Sequence, residues 1–218
     1  MKLKHKNLII TIDGPAASGK GTLARNIACH YELTHLDTGL IYRQLAYQMI
    51  INNCNFNDED EAAKQAIYVD FNDFDKDKLK AYEISKISSI VAAFPKVRAI
   101  LLKKQQDFIK LHQENGIILD GRDTGTIICP TAPLKFFITA DINERAKRRF
   151  NELKPGNNKI TFAEILKSLQ ERDERDKNRK YAPLKKADDA MLLDTTEADI
   201  NTLFTEVKKI IDLYLSQG

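Results

Sequence analysis

The segment Gly14-Pro15-Ala16-Ala17-Ser18-Gly19-Lys20-Gly21-Thr22 restricts this chain more than any other. Before it runs Leu8-Ile9-Ile10-Thr11-Ile12, a short β-branched stretch that reads as a buried strand ending in a turn at Asp13-Gly14-Pro15. After it, Leu23, Ile27 and Ala28 fall at helical spacing between Gly19 and Tyr31. Strand, Gly-x4-Gly-Lys and helix in that order are the context of a phosphate-binding P-loop. Consecutive backbone N–H groups and the positive helix end surround a β-phosphate there, and Lys20 supplies a mobile charge toward the β and γ oxygens. A turn of small residues with a chance lysine is the bland alternative, and the flanking strand and helix argue against it. The loop does not name a reaction, because switch GTPases, motors and small-molecule kinases share it.

The remaining pattern repeats strand and helix. Strands are expected at 33–36, 117–120, 134–139 and 190–194, which with the first makes five. Helices are expected at 38–51, 58–66, from Ile84 onward, from Pro95 to Glu114, at 142–153, from Phe162 to about Lys180, and at about 199–216. Residues 67–82 mix aspartates, lysines and aromatics without a helical period and read as a small antiparallel excursion, and Pro155-Gly156-Asn157-Asn158 reads as a loop. The fold expected is α/β: a P-loop core with a mostly parallel five-stranded sheet covered by helices on both faces.

Composition sets limits. The chain has 218 residues, 43% hydrophobic and 30% charged, enough for one sizeable core with small appended lobes or at most two domains. The net charge of +3, from 34 basic and 31 acidic side chains, does not call for a nucleic-acid partner. Cys29, Cys54 and Cys129 are odd in number and far apart, and His5, His30, His35 and His112 show no ligand spacing, so no disulfide framework or zinc site is expected. The apolar run after the basic Met1–Asn7 is too short for a signal segment or membrane span, and the cytoplasm is the expected location. Phe136 and Phe137 are expected in the core.

Three details narrow the reaction. Many P-loops place Ser or Thr directly after the lysine as a Mg²⁺ ligand, but here Gly21 stands there and the hydroxyl comes next, at Thr22. Mg²⁺ should then be held mainly through waters and ATP oxygens, and no side chain is assigned as a direct metal ligand. Gly-Lys-Gly-Thr suits nucleotide kinases rather than switch GTPases, and no Asn-Lys-x-Asp guanine reader occurs. Finally, Asp37-Thr38-Gly39 and Asp120-Gly121-Arg122-Asp123-Thr124-Gly125 each leave a predicted strand at the end of a parallel sheet where ligands gather.

These segments, in order with Asp37-Thr38-Gly39-x2-Tyr42-Arg43, Val91-Ala92-Ala93-Phe94-Pro95-x-Val97-Arg98, Asp120-Gly121-Arg122-Asp123-x-Gly125-Thr126 and Glu171-Arg172-Asp173-x-Arg175-Asp176-x-Asn178-Arg179, resemble the motifs of bacterial cytidylate (CMP) kinases. The resemblance runs from about Leu8 to Leu184. It implies one nucleotide kinase domain over 1–218, with a monophosphate-binding lobe at about 39–115, a lid at about 150–180, and a monomeric state. The implied reaction moves the γ-phosphoryl group of ATP, with Mg²⁺, onto CMP and dCMP. By resemblance Lys20, Arg43, Arg122 and Arg179 are catalytic, the last three holding the acceptor phosphate. Ser89, Arg98 and Asp123 would read cytosine, Arg172 and Asp176 the sugar, and Thr38 and Tyr42 would complete the CMP site. Arg145 and Arg149, one helical turn apart, would approach ATP. The sequence departs from the family in Ala16-Ala17-Ser18, in Thr38 for a frequent serine, in a short 67–82 segment, and in Lys80 where arginine is common.

An arginine-rich site follows from that chemistry, since the attacking oxygen is already ionised and the obstacle is repulsion between two polyanions. Arg172, Asp176 and Arg179 fall at i, i+4 and i+7 and can share one helix face. The bland reading of that helix is a solvated surface with Glu171–Arg175 and Arg172–Asp176 pairs. Two rival functions stay open here: a kinase for UMP or another acceptor, and a nucleotide-binding switch module that transfers no phosphoryl group.

Overall fold

The computed structural model describes residues 7–71, 75–154 and 160–217. Its sheet has the strands β1 (Ile9–Asp13), β2 (Thr34–Asp37), β3 (Ile117–Gly121), β4 (Leu134–Thr139) and β5 (Met191–Asp194). They lie in the order β2-β3-β1-β4-β5, and every pairing is parallel. All carboxyl ends therefore open on one edge.

The strands alternate apolar side chains between two layers. Ile10, Ile12, Ile118, Phe136 and Ile138 pack with Leu23 and Ile27 of α1 (Lys20–Tyr31) and with Val207 and Ile211 of α9 (Ile200–Ser216). Ile117 and Leu119 point the other way, into a cluster with α2 (Thr38–Ile51), α3 (Glu59–Ala66), α5 (Tyr82–Val91) and α6 (Pro95–His112). Phe136 is core, as expected, while Phe137 is only half-buried. Helices α7 (Ile142–Leu153) and α8 (Phe162–Asn178) pack on each other and, through Ala146, Ile165 and Leu169, under Ala16 of the phosphate loop. Thr161 and Glu164 form a reciprocal capping box that starts α8.

Residues 67–82 depart from the expected antiparallel excursion. Among the described residues no strand forms there; a turn is followed by the short helix α4 (Lys76–Leu79), with α5 beginning at Tyr82. Asp75 accepts from the Lys78 N–H at 3.3 Å and its carbonyl accepts from the Leu79 N–H at 3.1 Å, so a local cap wins over pairing. Val69 and Leu79 then bury themselves in the core beside α2. Residues 72–74, like the loop expected at 155–158, lie outside the described residues.

Two constraints hold the carboxyl edge together. A Cβ on Gly14 would stand 2.1 Å from the Ile138 carbonyl oxygen, so only glycine lets the phosphate loop cross β4. The Asp13 carboxylate, at the end of β1, accepts from the Thr124 N–H at 2.8 Å, the Thr124 hydroxyl at 2.9 Å and the Gly125 N–H at 2.8 Å. Those donors open the π-helical turn Thr124–Ile128 and lock the segment after β3 beside the phosphate loop. Asp13→Ala would strand three buried donors and should cost about 3 kcal/mol of unfolding free energy. Urea denaturation checks this, and a midpoint equal to wild type would mean that the turn is held by other contacts.

Candidate active site

The carboxyl edge borders a cavity of ≈ 720 Å³ whose wall carries Lys20 of the phosphate loop, Arg43 of α2, Arg122 after β3, Arg149 of α7 and Arg172 and Arg175 of α8. The carboxylates on the same wall are Asp37, Asp120 and Glu152. Such an excess of cations at the end of a parallel sheet is suited to polyanions.

The phosphate loop takes the shape that its sequence demands. Ala17 and Gly19 are left-handed, at φ 61° and 87°, and α1 begins at Lys20 directly after them. The Lys20 ammonium donates to the Pro15 carbonyl at 3.1 Å. Burial, and next to it the Arg122 guanidinium, push its pKa down to about 7. Beneath it Asp37 and Asp120 sit in register on β2 and β3. Burial and the Asp120 charge raise Asp37 above the usual carboxylate range. His35, which the sequence reading left to packing, meets Asp120 through Nε2 at 2.7 Å and lines the cavity.

Two aspartates order the arginines. Asp176 of α8 accepts from Arg122 Nε at 2.8 Å and lies 3.9 Å from both Arg172 and Arg179. Burial alone would raise this carboxyl, but Arg122, Arg172 and Arg179 outweigh it and hold the pKa below its ordinary value. Asp123 pairs tightly with Arg98 and accepts from Arg179 at 3.4 Å. Arg172 is pushed down to about 9 by burial and by Arg122, and Arg43 is lowered by burial and by Arg149.

The expected site residues divide: fewer than half line the large cavity, and Arg179, held between Asp123 and Asp176, is not among them. Lys20, Arg43, Ser89, Arg122 and Arg172 share the large cavity, to which Asp176 joins through Arg122. Tyr42, Arg98 and Asp123 instead line an adjoining, largely apolar cavity of ≈ 500 Å³, with the Arg98 guanidinium 5.6 Å over the Tyr42 ring. The phosphate loop itself divides between two cavities: Ala16, Ala17, Lys20 and Gly21 face the large one, and Ser18, Gly19 and Thr22 another. Thr38 is buried and spends its hydroxyl on the Asp120 carbonyl at 2.8 Å, so it braces the wall and does not line it. Arg145 is likewise internal, donating to the Ala140 and Ala16 carbonyls at 3.0 and 3.2 Å and to Asp173 at 2.6 Å. Arg149 does reach the large cavity, paired with Glu152 at 2.7 Å.

The sequence reading missed that second cavity, of ≈ 440 Å³, lined also by Arg148 and by Thr195 to Ile200 after β5. Arg148 donates to the Thr195 hydroxyl at 3.1 Å and to its carbonyl at 2.5 Å. The available signal was positional, since the end of the fifth strand belongs to the same ligand-gathering edge.

A five-stranded parallel sheet with a phosphate loop after β1 and a cationic cavity beside it defines an α/β protein of the P-loop kinase type. A solved structure of an uncharacterized protein from Eubacterium ventriosum shares that fold, with a TM-score of 0.55 over 94% of this chain and 98% of that one at 17% identity. The cytidylate kinase family model matches residues 10–213. Curated cytidylate kinases from Bartonella bacilliformis and Brucella suis are each 47% identical, over 94% and 96% of this chain and 94% of each relative. The chain belongs to the cytidylate kinase family, and its function is that of a cytidylate kinase. Its substrates are accordingly nucleotides. Among the described residues no helix is long and apolar enough to cross a membrane.

The lowered Lys20 pKa carries a signed prediction. Above pH 7 the free lysine is largely neutral, and phosphate oxygens placed beside it restore its charge, so triphosphate binding draws in a proton. Calorimetry of ATP binding at pH 8, in buffers of different ionisation enthalpy, should report uptake of roughly one proton per site, fading toward pH 6. Identical heats in all buffers at pH 8 would contradict it.

Proposed function

We propose that this chain transfers the γ-phosphoryl group of ATP directly to a phosphate oxygen of CMP or dCMP, with no protein base. The observation that carries the reading is the single cavity in which Lys20 faces Arg43, Arg122 and Arg172 across the carboxyl edge of the sheet. The attacking oxygen forms a bond to the γ-phosphorus, the bond to the β–γ bridging oxygen breaks, and ADP leaves with that electron pair. Charge and positioning are what such a transfer needs. Lys20 and free backbone N–H groups of the phosphate loop after Pro15 hold the donor phosphates, and Arg43, Arg122 and Arg179 hold the acceptor phosphate. Guanidinium forks suit phosphate oxygens.

The donor base has a seat in this reading. The cavity at Thr22, Arg148 and Thr195–Ile200 opens from the far side of the same phosphate loop and would take the adenosine end of ATP. Mg²⁺ would be held by phosphate oxygens and waters, with the water shell bound by Asp37 and Asp120. That donor set fits, because a half-buried and a buried carboxylate in register repel each other and a cation relieves them. Bound there, the ion would neutralise charge on the transferring group.

On the acceptor side, Ser89, Arg98 and Asp123 read the cytosine, with Tyr42 against Arg98 and Thr38 bracing the loop, while Arg172 and Asp176 take the sugar. The unit is proposed as a cytoplasmic monomer of one domain over 1–218, whose lobe at about 39–115 and lid at about 150–180 close to exclude water. Asp123 is the test of base reading. Its carboxylate accepts from the amino group of cytosine and repels the carbonyl of uracil, a mismatch of about 1–3 kcal/mol. Asp123→Asn should therefore lower kcat/KM for CMP by one to two orders of magnitude and narrow the CMP-over-UMP ratio. An unchanged ratio in a folded variant would require another reader of the base.

A further inference from the structure

Helix α5 carries a run of serines, and two of their hydroxyls are treated differently. Ser88 turns its hydroxyl back on its own helix and donates to the Ser85 carbonyl at 2.9 Å. Ser89 does not. Its buried oxygen accepts from Arg175 Nε of α8 at 3.3 Å, and among the described residues its proton meets no acceptor. One turn earlier the same contact repeats, with Arg172 donating to the Ser85 hydroxyl at 3.0 Å. Arginines three apart on α8 thus grip serines four apart on α5, as neighbouring helix faces allow. Arg175 pairs with this hydroxyl and not, among the described residues, with the Glu171 that its sequence spacing offers.

A guanidinium has donors and no acceptor, so the polarity of the contact is set by chemistry alone. With a cation on its oxygen, the Ser89 hydroxyl becomes a better donor and must point its proton away from α8, toward the cavity that both residues line. We infer that Arg175 is a positioning residue for base selection, acting from α8 by turning the Ser89 hydroxyl into an oriented donor. The inference rests on the proposed reading in which Ser89 faces the base. An oriented donor suits the bare ring nitrogen and carbonyl of cytosine and opposes the ring N–H of uracil. It also ties recognition to the lid, since the base wall is complete only while α8 rests on α5.

The test measures kcat/KM for CMP and UMP in Arg175→Met, Arg175→Lys, Ser89→Ala and the Ser89→Ala/Arg175→Met double variant, with thermal melts to verify folding. Arg175→Met should narrow the CMP-over-UMP ratio about tenfold, since the freed hydroxyl can rotate to suit either base. Arg175→Lys, another obligate donor, should restore most of the ratio. In the Ser89→Ala background Arg175→Met should change the ratio no further, because its effect passes through that hydroxyl. If Ser89→Ala alone leaves the ratio intact, Ser89 does not read the base and the inference falls with that reading. If Ser89→Ala narrows the ratio but Arg175→Met slows both nucleotides equally, Ser89 is a reader and the role given to Arg175 is wrong.

Discussion

One carboxylate, Asp176, stands among Arg122, Arg172 and Arg179 at 2.8 to 3.9 Å, and the arrangement of the whole cavity depends on it. Two like charges about 4 Å apart repel by about 4 kcal/mol at an effective dielectric near 20. Cations gathered on one wall would therefore turn outward or lose their protons unless something held them. Burial first, and the neighbouring Arg122 charge next, push Lys20 down to about 7 and Arg172 down to about 9. Asp176 and Asp123 keep the guanidinium groups charged and aimed, so that an arriving phosphate meets preorganised donors.

The sheet supplies the rigid frame for that balance. Asp13 ties the end of β1 to the segment carrying Arg122 and Asp123, and the bare Gly14 lets the phosphate loop lie against β4. A Cβ on Gly21 would meet the Asp120 carboxylate at 3.4 Å, an ordinary contact, so the position that carries a hydroxyl in many P-loops lies here beside an acid of β3. Arg145, which grips Ala16 of the loop and Asp173 of α8 together, links the donor wall to the helix that carries Asp176.

Much of this was readable from the chain because it is local. Gly14 to Thr22 announces both the loop and its ligand, and the helix expected at 38–51 spans Thr38–Ile51. The strand 134–139 and the helix 142–153 likewise match Leu134–Thr139 and Ile142–Leu153. What escaped involves partners far apart in sequence. Arg148 meets Thr195 across 47 positions and His35 meets Asp120 across 85, and neither pair leaves a spacing to read. The 67–82 segment failed for a different reason, since Asp75 caps a short helix where alternating residue types resembled pairing strands. Arg145 and Arg149 looked equivalent one turn apart, yet burial sends one into the protein and leaves the other at the cavity.

If carboxylates hold the arginine cluster in place of phosphate, an anion should substitute for a lost carboxylate. The direct measurement is the thermal midpoint of wild type and Asp176→Asn as inorganic phosphate replaces chloride at constant ionic strength. The account predicts a variant that melts well below wild type in chloride and recovers most of the gap in phosphate, because phosphate neutralises the stranded guanidinium groups. A gap that stays the same in both anions would contradict it, and would mean that Asp176 supports the fold without balancing the charge of the site.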